Sequence, residues 1–211
     1  TSMSRSALFS MLVALPLVAA PAAAVSFTSV AFDGPLAPGQ SMKIDFDNPH
    51  APGYSIVGGG IYQGSTPGIA AAPAGNASKY MALLSGKSAA LTMPYGVGSM
   101  SVYIGSIDTY NHIEFFGSNG FYKKISGADM TSAPNGSWTG PLANRRFYFD
   151  FAGVPISKIV FSSTGNSFEF DNIATGAVPE AGTWAMLIAG FGLVGVALRR
   201  NRRTLPRSVA A

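Results

Sequence analysis

Cysteine is absent from the 211 residues, which excludes disulfides, thiolate nucleophiles and every cysteine-ligated metal site. Histidine is nearly absent as well: His50 and His112 are the only two, and no serine sits in a G-x-S-x-G elbow of the kind that exposes a hydrolase nucleophile. Charge is scarce, at 11% of residues, and unevenly placed. The formal +4 would ordinarily suggest a nucleic-acid or anionic-membrane partner, but Arg5, Arg199, Arg200, Arg202, Arg203 and Arg207 all lie toward the ends. Between Val25 and Gly176, eight Lys and Arg stand against nine Asp and Glu. This nearly neutral stretch has no basic face for nucleic acid.

Glycine (25) and proline (14) are frequent, a composition that suits a β-rich, loop-rich exported domain. The length allows one ordinary domain plus targeting segments. A domain of about 150 residues buries enough apolar surface to fold without disulfides.

Both ends of the sequence are apolar. Arg5 precedes an almost wholly apolar run from Ala7 to Ala20, followed by Pro21, Ala22, Ala23 and Ala24. A basic start, a short apolar stretch and a small-residue A-x-A site form a signal peptide over 1–24, with Ala22 and Ala24 flanking the cut and Val25 as the mature N-terminus. Toward the other end, Trp184 to Leu198 carries no charge and runs directly into Arg199, Arg200, Arg202 and Arg203. As a helix it would cover roughly 22 Å, less than a hydrocarbon core of ~30 Å, so spanning a membrane requires help from flanking residues and snorkelling arginines. The arginines place the segment after the helix, 199–207, on the cytoplasmic side. Gly190, Gly192 and Gly195 leave a small-residue face for close packing of another membrane helix.

The segment Val178, Pro179, Glu180, Ala181, Gly182, Thr183, Trp184, Ala185, Met186, then a Gly-rich apolar helix and an arginine cluster, closely resembles the PEP-CTERM sorting signal of diderm bacteria. The sequence departs from it at Ala181, where the second proline is usual. The resemblance implies a sorting tail over 177–211 and processing by exosortase, an integral-membrane transpeptidase-like enzyme. It also implies secretion machinery as a partner, a transient inner-membrane anchor, and a final place at the cell surface or outside it. Pro179 suits such a role, because it holds Val178 extended and stops helix continuation backwards, keeping the segment accessible beside the bilayer. Glu180 sits where a helix dipole favours negative charge.

From 25 to 176 the sequence alternates short β-like runs with Gly, Pro, Asn and Asp. Runs are expected at 25–32, 41–46, 55–62, 79–84, 89–93, 99–106, 112–116, 121–126, 146–151, 158–163 and 167–173. Met100, Val102 and Ile104 share one face, as do Phe147, Phe149 and Phe151, and Phe168 and Phe170. No helical period and no repeat is visible. The turn spacing predicts an all-β domain, an antiparallel two-sheet β-sandwich, jelly-roll-like. The stretches Gly105 to Asn111 and Phe168 to Ile173 are similar to segments in the extracellular domains of one group of PEP-CTERM proteins. That likeness implies a sandwich related in appearance to carbohydrate-binding modules.

Chemistry is poorly supported. Gly86-Lys87-Ser88 fails as a phosphate loop because Met81 stands where its leading glycine belongs. Ser106, Asp108 and His112 are too close along one turn and strand to converge as a catalytic triad, and Asp108 and Asn111 are better read as turn-forming side chains. For ligand binding, the candidates are Trp138, in the polar loop 135–141, with Tyr110 and Tyr95 as further aromatics and Asp108 and Asn111 beside Tyr110. Asp33, Glu169 and Asp171 are candidate oxygen ligands of a structural calcium; no other cofactor is expected. The sequence thus predicts a non-enzymatic exported surface protein with a structural or adhesive role in the envelope or an extracellular polysaccharide matrix. The alternatives are a lectin-like carbohydrate-binding module and, behind it, a secreted hydrolase.

Overall fold

The computed structural model describes residues 25–178, 187–195 and 199. Eleven strands account for the regular structure of 25–178: β1 (Ser26–Ala31), β2 (Gln40–Ile44), β3 (Ser55–Gly58), β4 (Gly60–Gln63), β5 (Lys79–Leu83), β6 (Ser88–Gly105), β7 (Asn111–Gly117), β8 (Tyr122–Ser126), β9 (Arg145–Asp150), β10 (Ile156–Ser163) and β11 (Phe168–Ala177). Besides a 3-10 turn at Ser118–Gly120 there is one short α-helix among them, α1 (Gly127–Met130), closed by a capping box in which Ser126 and Asp129 satisfy each other's backbone donors. Every pairing between strands is antiparallel.

Two differences from the sequence expectation matter. The run 55–62 divides at Gly59, whose φ of +67° is open to glycine and strained for other residues. The runs 89–93 and 99–106 instead join into one strand, β6, of 18 residues. The first half of β6 pairs with β3 and β10, and its second half with β9 and β11. The register of β10 on β6 shifts between Ile156 and Lys158, so the ladder is broken beside Pro94–Gly98, and the strand leaves one group of partners for the other there.

The expected pair of sheets is therefore one hydrogen-bonded sheet of eleven strands, folded over through β6. One half runs β3, β6, β10, β7, β8. The other runs β1, β9, β6, β11, with β2 and β5 sharing the far edge of β11 and β4 beyond β5. Side chains from unpaired strands meet between the halves. Phe161 of β10 stacks on Phe170 of β11 at 4.2 Å between ring centroids, and Phe115 of β7 lies 5.1 Å from Phe149 of β9. One continuous core includes Leu91, Met100, Val102, Ile113, Phe147 and Ile159, all closed to solvent. Its apolar area is the main stabilising term.

The outer face of the second half is also closed, by polar contacts. Arg146, only 1% exposed, leaves β9 away from the phenylalanine face, in keeping with the two-residue period of a strand. Its guanidinium donates to Asp33, to Ser101 Oγ and to the Asn172 carbonyl. The loop between β4 and β5 lies over β11 and β6, where Tyr103 donates to the Ala74 carbonyl and Asn76 donates to Asp171 at 2.6 Å.

Candidate functional site

Four loops converge at one end of the second half of the sheet. They are the turn after β6, the approach to β11, the segment between α1 and β9, and part of the β4–β5 loop. Together they surround a depression of about 320 Å³ whose lining includes Asp108, Tyr110, Asn135, Trp138, Asn166 and Glu169.

Asn111 builds the turn after β6 from behind. Its side-chain oxygen accepts from the Asp108 amide at 2.7 Å, while its amide nitrogen reaches Ser163 Oγ and the Ser167 carbonyl at 3.2 Å. It is closed to solvent. Of the four expected ligand-binding residues, Asn111 is thus the support, and Asp108, Tyr110 and Trp138 line the depression. Tyr95 lies elsewhere, edge-on to Tyr54.

The Tyr110 hydroxyl lies 2.6 Å from both Asp108 Oδ2 and the Asn166 carbonyl, tying the first two loops together. The third loop is held by the Asp108–Asn135 bridge and by the Gly136 amide donating to the Ile107 carbonyl at 3.0 Å. A side chain at Gly136 would collide with the Asp108 carboxylate, 2.7 Å from the position of its Cβ, and φ there is +64°. Glycine is required on both counts. Asn166 donates to the Gly68 carbonyl at 3.2 Å and so fastens the fourth loop.

Glu169 forms the floor. It is closed to solvent and accepts from the hydroxyls of Ser106 and Ser167 and from the Ala71 amide at 3.0 Å. Burial pushes its carboxyl above the ordinary range; the three donors act against that shift and the nearby Asp108 charge adds to it. Burial also raises Asp108, partly offset by the Tyr110 hydrogen bond. The Tyr110 hydroxyl is raised by burial and by its bond to Asp108.

At the rim, Trp138 keeps 45% of its surface exposed. Aromatic surface beside a few fixed polar groups is the usual make-up of a binding depression. Both Glu169 oxygens are already engaged by protein donors, which suits a structural floor better than an acid or base. Ser106 donates to Glu169, whereas His112 lies on β7 opposite Ser126, so Ser106, Asp108 and His112 form no triad.

The three proposed calcium ligands do not share a site. Asp33 lies against Arg146 and Asn172, Asp171 takes donors from Asn76, Ser78 and the Asn172 amide, and Glu169 faces the depression. Among the described residues no group of three His, Asp or Glu is placed to hold a metal ion. The reason is local: each carboxylate already has its own donors, and Asp33 is neutralised by a guanidinium.

Of the tail, Val178 follows directly on β11, residues 187–195 are helical and exposed, and Arg199 is helical. Val25 packs on the core. Ala22, Ala24, Pro179, Glu180, Trp184, Ala185, Met186, Arg200, Arg202 and Arg203 lie outside the described residues, as do the whole of the expected signal peptide, 1–24, and positions 184–186 and 196–198 of the expected helix 184–198. Among the described residues no helix is long and apolar enough to cross a membrane.

Residues 177–203 match the PEP-CTERM protein-sorting motif. No curated protein matches the chain. Among solved structures, two mutants of a family 29 carbohydrate binding module are similar. One has 13% identity and a TM-score of 0.37, covering 67% of this chain and 95% of that one. The other has 14% identity and a TM-score of 0.35, covering 74% and 96%. The catalytic unit of a thermostable GH87 α-1,3-glucanase from Streptomyces thermodiastaticus is similar at 13% identity and a TM-score of 0.36, over 61% of this chain and 26% of its own.

Proposed function

From a chain that carries the PEP-CTERM protein-sorting motif, we propose an exported surface protein that exosortase processes at 178–186, with a β domain that serves the envelope or its polysaccharide matrix by binding or by structure and not by catalysis. The observation that carries this is the position of the motif match. It begins at Ala177, the last residue of β11, so the sorting segment continues straight out of the folded sheet. The 1–24 signal peptide would deliver the chain to the secretion machinery, and the apolar run at 184–198 would hold it transiently in the inner membrane until processing.

Mass spectrometry of the protein recovered from the cell surface tests this reading. New termini are expected near Val25 and within or just after 178–186. A mature chain that retains 184–203 would refute processing at the motif and leave stable anchoring in its place.

A second reading, a lectin-like module, is favoured by one specific feature: Trp138, Tyr110 and Asp108, far apart in sequence, line the same depression. An indole face with fixed polar groups beside it suits a sugar ring, whose C–H face is apolar and whose hydroxyls need partners. Saccharide-dependent retention of the protein on a glycan array tests it. Binding that is independent of saccharide leaves the purely structural role.

A further inference from the structure

The charge around the depression restricts what it can accept. Among the described residues, its lining contains two carboxylates, Asp108 and Glu169, and no lysine or arginine. The existing hydrogen bonds use Asp108 Oδ2, toward Tyr110, and Asn135 Oδ1, toward the Ser137 amide. Asp108 Oδ1, the Asn135 amide nitrogen and the exposed Trp138 ring are left to a ligand. An acceptor, a donor and an aromatic face match vicinal hydroxyls on an uncharged ring. A ligand carboxylate, sulfate or phosphate would meet Asp108 with no cation to compensate it, in surroundings where Glu169 is already desolvated.

We propose that the depression is a binding site for neutral saccharides that excludes acidic ones, with Trp138 as the stacking platform and Asp108 as the residue that both accepts from sugar hydroxyls and rejects anionic sugars. This rests on the lectin-like reading above and adds the chemical class of its ligand. Specificity here is a difference between two affinities, and the repulsive element sets it.

The test compares neutral gluco-oligosaccharides with uronic-acid oligosaccharides of the same length, titrated against the full chain in detergent micelles. The neutral series is expected to bind at least about tenfold more tightly, a difference of about 1.4 kcal/mol, because a like charge a few ångströms away repels in a partly desolvated site. Raising the salt concentration should narrow that gap by screening the repulsion. Trp138→Ala should weaken neutral binding about tenfold. Asp108→Asn keeps a carbonyl for the Tyr110 hydroxyl and should let the uronates approach the affinity of the neutral series. The salt series needs no variant, so a misfolded substitution does not spoil the test. Uronates that bind as tightly as neutral sugars even at low salt, where the repulsion is least screened, overturn the proposal and leave the lectin-like reading standing. If neither series binds, both fall.

Discussion

Arg146 is a buried charge, and the fold depends on the partner that compensates it. Its head is enclosed between β9, β6 and β11, and Asp33 is its counter-ion, at 2.5 Å. Asp33→Ala would leave a buried guanidinium without that charge. Such losses cost ~3–5 kcal/mol in fully enclosed pairs, and about 2 kcal/mol is expected here because the Asp33 side chain remains partly open to water. Urea unfolding should show the midpoint shift with an unchanged m-value. Asp171 gives a second test. Burial pushes its carboxyl up to about 7, although donors from Asn172, Asn76 and Ser78 act against that. A carboxyl raised in the folded state favours the protonated form, so its stabilising contribution is complete below the unfolded value near 4 and is lost as pH rises through about 7. Glu169, also raised, acts in the same direction. Asp45 and Asp129 are lowered by side-chain and backbone hydrogen bonds, so their opposite contribution falls below that window, whereas His112, lowered by burial, gains stability inside it and makes the decline shallower without cancelling two raised carboxyls. Thermal midpoints should therefore decline from pH 4 to 8, and Asp171→Asn should flatten the decline; an equal slope in the variant removes Asp171 from the explanation.

Among the elements, β6 shows what the sequence concealed. Strands with clean alternation, such as β7 and β9, are legible within a residue, because a half-buried strand has a period of two, whereas β11 starts within a residue of its expected position and runs four residues past the expected end, to Ala177. The stretch Pro94-Tyr95-Gly96-Val97-Gly98 reads as a loop, since proline and glycine punctuate local structure, yet it carries the chain from one half of the sheet to the other. Its glycines answer to long-range packing. A Cβ on Gly98 would lie 2.8 Å from the Ala177 carbonyl oxygen and from Val178 Cα, both backbone, so the end of β11 must shift to admit it. Gly98→Ala should cost about 1–3 kcal/mol and should also slow processing, because Val178 opens the sorting segment. Pulse-chase analysis of the precursor measures the second effect, and unchanged processing in a destabilised variant would show that the exosortase substrate is independent of this packing. The candidate site was half legible for the same reason. Trp138, Tyr110 and Asp108 have chemistry that local sequence reveals. Glu169 reads locally as a metal ligand, and Asn166 and the Gly68–Ala71 loop carry no local sign of a site, because only tertiary pairing brings them to the depression.

At the scale of the whole molecule, the two ends of the folded chain leave from one end of the sheet. Ser26 pairs with Asp150, Asp150 with Ser99, Ser99 with Gly176 and Gly176 with Gln40, a single row that holds the start of β1 and the last turn of β11 a few strands apart. The opposite end of the same strands carries Gly105, Glu169 and Arg145, and above them the depression. The six steps along β6 from Ser99 to Gly105 separate the two ends by roughly 20 Å at ~3.3 Å per residue. A chain held in a membrane by its sorting tail would thus present Trp138 away from the bilayer, and a signal peptide not yet removed would leave from the membrane-facing end as well. The absence of cysteine makes this directly measurable, since one introduced thiol is the only one present. Pro38 lies at the end that carries Ala177, Thr139 beside Trp138, and both are exposed. In sealed vesicles holding the full, unprocessed chain with the domain outside, a bulky maleimide should label the Thr139→Cys variant several-fold faster than the Pro38→Cys variant, and detergent should equalise them. Equal rates in intact vesicles would mean that the depression gains no distance from the membrane, and that the tail does not set the orientation of the domain.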